Sequence, residues 1–320
     1  HEAGGCRIFP RTSHCLSGGL ITIARRVVFS PVSRSLACSS LGFHAAYAGL
    51  QPCEWAAVEE HSVQAPRSVE SDRVLSEFDV ILASLAWELE VSGLVAALTR
   101  SGVEALRQRR APTSPLIVAG GPLTLSNPDL LVPFCDAVFL GEADQTFSTI
   151  AAMLDAAHSR DAVLAELATL PGMHVPSVHG DGPIAARRVT VPLPFAPVRT
   201  ALVGQQNAFG GAFLVEVNRG CPRGCTFCVV QHEGRGARFV DPSAVLGVIP
   251  EDADRVGLVG PAVSDHPGLG VILESLVTRG KHVTLSSLRA DRVTADLLAL
   301  LTAGGLQTLT VAADGTSDRM

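Results

Sequence analysis

Three of the eight cysteines lie within one short segment, at Cys221, Cys225 and Cys228. The spacing CxxxCxxC comes directly after an apolar run and includes glycine and proline, so the segment must turn as a loop. Thiolates are soft ligands that bind zinc or the iron of iron–sulfur clusters. The spacing therefore predicts that the three thiolates converge on a metal site.

The residues alone leave four interpretations of this triplet. Structural zinc takes four ligands, and the nearby His232 could supply the fourth. A ferredoxin-like electron carrier would need a fourth cysteine, but none occurs between Cys228 and Met320. The three residues could also be ordinary buried cysteines. We favour a 4Fe-4S cluster, because three protein thiolates leave one iron open for a non-protein ligand.

The triplet, with Phe227 directly before its third cysteine, resembles the signature of the radical S-adenosylmethionine (SAM) superfamily. In that superfamily the motif follows the first strand of a partial (βα)6 TIM-type barrel. The resemblance implies a 4Fe-4S cluster whose open iron binds SAM, with reductive cleavage of SAM to a 5′-deoxyadenosyl radical. It also implies an electron donor such as flavodoxin or ferredoxin. Phe227 would lie against the adenine, and its alternative role is that of a core aromatic.

Two later segments resemble SAM-binding positions of the same superfamily. Gly260 and Pro261 end the second predicted barrel strand, where the family has a glycine-rich turn whose carbonyls bind the SAM amino group. Ser287 and Arg289 follow the third strand, where the family places polar contacts, and a guanidinium suits the planar carboxylate of SAM. The alternative interpretations are a plain strand-ending turn and a solvated surface arginine.

The C-terminal end of the chain departs from the family pattern. Residues 310–317 resemble the APEAGS-type segment of one subgroup, with Ala313 and Asp314 in place of proline and glutamate. We therefore assign Asp314 no role. The chain begins with His1 and ends with Met320 at a predicted strand-to-loop transition, so we expect a fragment with a truncated barrel.

The N-terminal half contains the segments Phe78-Asp79-Val80-Ile81, Gly120-Gly121-Pro122, Asn127-Pro128 and 136–142. With these segments it resembles the cobalamin-binding-type domain that precedes many radical SAM barrels. The resemblance permits bound cobalamin.

The D-x-H-x-x-G string, whose histidine ligates cobalt in such domains, is missing. Asp155 and His158 are three residues apart and lack the glycine. We therefore expect any cobalamin to bind without a histidine ligand. His44, His61 and His158 are expected to be surface or satisfied core histidines.

Apolar runs that alternate with helical spacing predict an α/β fold. We expect a doubly wound parallel sheet, followed by the first half of a radical SAM partial (βα)6 barrel. The predicted strands are 27–30, 78–84, 115–119, 137–140, 213–217, 255–259, 281–286 and 306–312, and the predicted helices are 41–50, 94–107, 146–157, 269–278 and 294–303.

These elements divide the chain into four predicted regions. Residues 1–24 form an irregular segment, and residues 25–157 a cobalamin-binding-type, Rossmann-like domain. Residues 158–211 form a proline-rich linker with a small hairpin near 173–191. Residues 212–320 form the incomplete radical SAM core.

Composition argues against two classes of protein. The net charge is −6 and no stretch is strongly basic, so a nucleic-acid surface is not indicated. No apolar run approaches the roughly 18–20 residues that cross a bilayer, so no membrane association is expected. The scattered cysteines are expected to be small buried hydrophobes in a cytoplasmic protein; they are Cys6, Cys15, Cys38, Cys53 and Cys135.

The predicted function is that of a radical SAM enzyme of unknown substrate, with methyl transfer if cobalamin binds. No catalytic side chain is assigned beyond the cluster ligands. One alternative is a methylthiotransferase-like enzyme that modifies RNA or protein, although the N-terminal half lacks the second cysteine cluster this would need. The other alternative is a noncatalytic iron–sulfur or SAM-binding module.

Overall fold

The computed structural model describes residues 24–60, 62–156, 159–230 and 236–312. A six-stranded sheet forms the N-terminal half. Its strands are β1 (Arg26–Ser33), β2 (Glu54–Val58), β3 (Val80–Ser84), β4 (Leu116–Gly120), β5 (Ala137–Phe139) and β6 (Met173–His174). Their order across the sheet is β2-β1-β3-β4-β5-β6, and all neighbours are parallel except β6, which runs antiparallel to β5. The predicted α/β class and largely parallel N-terminal sheet are confirmed.

Helices cover both faces of this sheet. Because successive side chains of a strand point to opposite faces, Val28 packs in one core while Val27 and Phe29 pack in the other. Two buried faces explain why the strands are continuous apolar runs. The helices are α1 (Arg34–Ala37), α2 (Leu41–Gly49), α3 (Glu90–Arg100), α4 (Leu123–Ser126), α5 (Phe147–Ala156), α6 (Arg160–Leu167) and α7 (Pro176–His179).

Several N-terminal elements differ from the sequence prediction. The helix predicted over 94–107 ends at Arg100, because Gly102 adopts a positive φ of 74° that a helix cannot continue. Strand β2 was not predicted, since its short run EWAAV carries little strand signal. The predicted hairpin near 173–191 is absent from the described residues, because β6 pairs with β5 instead. Within the predicted linker, β6 extends the N-terminal sheet, and α6 packs on that sheet through Val163, Leu164 and Leu167.

A smaller parallel sheet forms the C-terminal half. The elements of this half are β7 (Phe213–Glu216), β8 (Asn218–Arg219), β9 (Arg238–Phe239), α8 (Pro242–Gly247), β10 (Arg255–Val259), α9 (Leu269–Thr278), β11 (His282–Leu285), β12 (Leu288–Arg289), α10 (Ala295–Ala303) and β13 (Val311–Ala312), and β8-β9 and β12-β13 form two further two-stranded sheets. The sheet has the order β11-β10-β7, with α9 connecting β10 to β11. Such parallel strands with helical connections are the arrangement predicted for this half. No helix of the described residues is long and apolar enough to cross a membrane.

The strand predicted over 306–312 is shorter than expected. Only Val311–Ala312 is a strand, and it pairs with β12 rather than with β11. Leu306 instead closes the end of α10 by donating its backbone N–H to the carbonyl of Leu301, and it packs against the core with Leu309. These contacts hold the first residues of the predicted strand at the helix end.

Candidate cofactor site

A cavity of about 790 Å³ lies at the carboxyl ends of the strands of both sheets. The N-terminal sheet contributes Gly120-Gly121-Pro122 and Gly141-Glu142, and the C-terminal sheet contributes Glu216, Asn218 and Gly260-Pro261. Ligands of parallel α/β folds bind at this edge, outside the carboxyl ends of the strands. The fold therefore brings the predicted Gly260 and Pro261 into one cavity with the glycine motifs of the N-terminal half.

A buried amide connects the turn at residues 260–262, called the Gly260 turn, to the start of the loop that carries the three cysteines, called the cysteine loop. Asn218 donates from Nδ2 to the carbonyl of Gly220 at 2.8 Å and accepts from the backbone N–H of Ala262 at 3.3 Å. A Cβ atom at position 260 would lie 2.2 Å from Oδ1 of Asn218. Only glycine therefore fits at this position without displacing the amide.

An ion cluster holds the cysteine loop on its other side. Arg223, which lies between the first two cysteines of the triplet, binds Asp265 at 2.5 Å, and Arg292 binds the same carboxylate oxygen at 3.1 Å. The Asp265 side chain is 4% exposed, and its Oδ2 atom has no hydrogen-bond partner among the described residues. The segment after β10 thus contacts the cysteine loop through a buried carboxylate.

The three cysteines of the loop, Cys221, Cys225 and Cys228, are half-buried and carry free thiols. No three His, Cys, Asp or Glu side chains among the described residues lie together in a group that could hold a metal ion. The structure therefore keeps the thiols on one loop without placing them in ligating positions. Three soft, accessible thiols on one loop fit an iron–sulfur cluster as a donor set. His232, the alternative zinc ligand, lies outside the described residues.

The remaining predicted SAM contacts lie outside the cavity wall. Phe227 is 74% exposed on the cysteine loop, and Ser287 is exposed after β11. Arg289 binds both carboxylate oxygens of Asp291, at 3.0 and 2.8 Å, and this hydrogen bonding raises the pKa of the guanidinium. The carboxylate bound by Arg289 in this structure is thus that of Asp291.

The cavity wall contains a charged network that the sequence analysis missed. Arg219 binds Glu216 at 2.7 Å, Glu142 at 3.1 Å and Asp144. Its guanidinium also stacks on the ring of Phe195, 4.2 Å from the centroid. Burial alone would lower the pKa of Arg219, but the hydrogen bonds and charges of Glu216 and Asp144 outweigh it and raise that pKa. In the sequence, the signal that could have indicated this network was a charged pair, Glu216 and Arg219, beside the cysteine motif.

His44 is a satisfied core histidine. Its Nε2 lies 3.0 Å from the Cys38 carbonyl oxygen, and its Nδ1 accepts from the backbone N–H groups of Ala201 and Leu202 at 3.2 and 3.4 Å. Burial lowers its pKa, which favours the neutral ring. Asp155 forms an ion pair with the buried Arg26.

Several sequence predictions fall outside the described residues. Nothing in the structure bears on the irregular segment up to residue 23 or on the APEAGS-type segment from residue 313 onward. The individual residues concerned are Cys6, Cys15, His61, His158 and Asp314.

Comparison with known proteins gives a sequence match in the N-terminal half. Residues 50–176 match the family described as radical SAM proteins, N-terminal. An uncharacterized protein of Methanocaldococcus jannaschii is 35% identical over 121 residues, which cover 36% of this chain and 27% of that protein.

Two solved structures are similar in fold. One is the radical S-adenosylmethionine methyltransferase TsrM from Kitasatospora setae with cobalamin and a 4Fe-4S cluster bound. It has a TM-score of 0.60 and 13% identity, covering 92% of this chain and 62% of that chain. The other is TsrM with its tryptophan substrate and the SAM analogue aza-SAM, with a TM-score of 0.56 and 13% identity. It covers 92% of this chain and 60% of that chain, so the chain spans less than two thirds of each of these relatives.

Proposed function

We propose that this radical SAM protein, which carries a cobalamin-binding-type N-terminal domain, cleaves SAM reductively at a 4Fe-4S cluster held by Cys221, Cys225 and Cys228. The family match over residues 50–176 and the shared fold support the class of protein. When bound, the cluster supplies the electron that breaks the sulfonium C–S bond and yields a 5′-deoxyadenosyl radical. The N-terminal domain continues past residue 157 in this proposal, because α6 and β6 pack with its sheet, and the radical SAM core begins at residue 212.

The observation that carries the proposal is the single cavity into which both sheets direct their strand ends. Gly260 and Pro261 line the same space as Gly120-Gly121-Pro122 and Gly141. A ligand on the N-terminal sheet would therefore lie close to one on the C-terminal sheet, which methyl transfer between two cofactors requires. The wall is mostly apolar with glycine-lined edges, and such a surface suits a broad, flat ring such as cobalamin.

The residues of the chain have distinct tasks in this proposal. The cysteine loop supplies three ligands, and Asn218 fixes the loop against the Gly260 turn. The apolar wall excludes water from the reacting groups, which strengthens the electrostatic interactions inside. His44 has both ring nitrogens engaged, so cobalt is expected to have no ligand from it. An oxygen-sensitive cluster also needs a reducing compartment, so we place the protein in the cytoplasm with an electron donor such as flavodoxin or ferredoxin.

A methylthiotransferase-like function is less well supported. It would need a second cluster in the N-terminal half, yet Cys38 packs on one face of the sheet and Cys135 on the other. These two thiols cannot converge on one cluster. Cys53 packs on the same face as Cys38, which leaves two cysteines there among the described residues.

Anaerobic reconstitution tests the proposal. The protein should bind about four irons and release 5′-deoxyadenosine from SAM after reduction with dithionite. Replacing any cysteine of the loop by alanine should abolish both signals, because two thiolates cannot hold the cluster. The control Cys53→Ala, at a half-buried cysteine of the N-terminal half, should retain both. Iron binding without deoxyadenosine would instead support a noncatalytic iron–sulfur module.

Cobalamin binding needs a separate measurement. Titration with hydroxocobalamin should give saturable binding, and the EPR spectrum of the reduced cob(II)alamin form should lack nitrogen coupling from a histidine. Clear histidine coupling would contradict the proposed mode of binding.

A further inference from the structure

Two short strands, β8 and β9, flank the cysteine loop and pair with each other. This pair of strands is called the neck of the loop. Strand β8 precedes the first cysteine and pairs antiparallel with β9, so that Arg219 lies directly opposite Arg238. All three cysteines therefore lie between two paired arginines. The pairing of β8 with β9 therefore fixes where the two ends of the cysteine loop lie.

Paired arginines would normally open such a neck. Like charges directly opposite each other destabilise an antiparallel pair of strands. Both guanidiniums are also largely buried, with side chains 10% and 12% exposed, so water screens their repulsion poorly. A counterion that reaches both arginines is needed to keep them together.

Glu142 is that counterion. Its Oε2 atom accepts from Arg219 at 3.1 Å and from Arg238 at 3.0 Å, while Oε1 accepts from the second Nη atom of Arg238. Asp144 and Glu216 bind Arg219 but have no contact with Arg238 among the described interactions. Glu142 is thus the carboxylate that bridges the two sides of the neck.

The N-terminal half fixes Glu142 in place. Its backbone N–H donates to the carbonyl of Val189 at 3.0 Å, and its carboxylate accepts from the backbone N–H of Val191 at 2.8 Å. The preceding Gly141 has φ of +103°, and a Cβ there would lie 2.1 Å from the carbonyl oxygen of Val189. The carboxylate is therefore presented to the neck by a backbone that follows β5 and borders the cavity.

We infer that Glu142 is a positioning residue, which closes the neck of the cysteine loop from the N-terminal half. The role assigned to the loop as the cluster site rests on the proposed function, but the closure of the neck does not. Glu142 also lines the shared cavity, so a ligand bound there would lie beside the carboxylate that closes the neck.

Glu142→Gln in the full chain tests this inference. The amide keeps the size of the side chain but loses the charge that both arginines need. In the apo protein, backbone amides of β8 and β9 should exchange with deuterium about tenfold faster, the change that corresponds to one lost charge-assisted hydrogen bond. In the reconstituted protein, iron should be lost faster to a strong chelator such as bathophenanthroline disulfonate. Amides of β3 and β4 should keep their exchange rates, which a general loss of stability would not allow.

Glu54→Gln is the matched control. Glu54 pairs with Arg73 at 3.1 Å and is 21% exposed, compared with 19% for Glu142, but it lies on β2 away from the neck. Exchange in β8 and β9 should be unchanged in this variant. Equal exchange rates in the two glutamine variants would overturn the inference.

A variant without Arg238 distinguishes a carboxylate that bridges the two arginines from one that only pairs with Arg219. In Arg238→Gln the repulsion across the neck is removed, so adding Glu142→Gln should accelerate exchange less than it does in the native chain. An undiminished effect in this background would also contradict the inference. Failure of the native chain to bind iron would count against the proposed function alone, since exchange in the apo protein is measured without the cluster.

Discussion

Gly260→Ala probes the contact between the two segments that form the candidate site. The new methyl group would lie 2.2 Å from Oδ1 of Asn218 and 3.1 Å from its Cγ and backbone oxygen. Asn218 is buried, with 1% of its surface exposed, although it borders the cavity. We expect the side chain to be displaced, with loss of its hydrogen bonds to Gly220 and Ala262.

Two contributions set the size of the effect. Two net hydrogen bonds are worth about 1–3 kcal/mol together, and an extra methyl group in a packed site costs a further 1–3 kcal/mol or so. The free energy of unfolding should therefore fall by about 2–6 kcal/mol. Because Asn218 holds the start of the cysteine loop, iron incorporation should fall as well.

Urea denaturation of the apo protein, followed by circular dichroism, measures the first effect, and iron content after reconstitution measures the second. Gly270→Ala is the matched control, since a Cβ there meets no atom of the described part of the chain within 4 Å and alanine favours the helix α9 that contains it. This control should be neutral or slightly stabilising. Equal stabilities and equal iron contents for the two variants would refute the argument that the Gly260 turn is fixed by Asn218.

Two further predictions concern the charged network and the thiols. Arg219→Met should lower the free energy of unfolding by about 3 kcal/mol, because it leaves the half-buried carboxylates of Glu216 and Asp144 without their arginine. The same change at the exposed Arg25, paired with Asp79, should cost at most about 1 kcal/mol in parallel urea titrations, and similar losses would contradict this account. In apo protein at about pH 8, iodoacetamide should label the cysteine loop but spare Cys38 and Cys135, because burial raises the pKa of these thiols to about 11 and about 12 and thiolates are the reactive form. Mass spectrometry of labelled peptides checks this, and rapid labelling of either buried thiol would show that its surroundings are open.

Local sequence patterns were sufficient for much of the fold. Apolar runs such as those of β1, β3 and β4 are long enough to identify as buried strands, and the apolar run predicted as a strand before the cysteine triplet is β7. The pattern failed where the signal was short or where a distant contact decided the outcome. Strand β6 has two residues, and it exists because β5 offers an open edge.

The sequence by itself determined which groups can bind a cofactor: three soft thiols on one loop, with Gly260-Pro261 at the end of a later strand. These features are local, because donor type and turn conformation depend on residues close together in the chain. Only the tertiary structure decided that both sheets open into one cavity and that Glu142 reaches Arg219, 77 positions further along the chain. Such an ion pair has no periodicity or spacing that marks it, since its partners meet only after two separate sheets have packed.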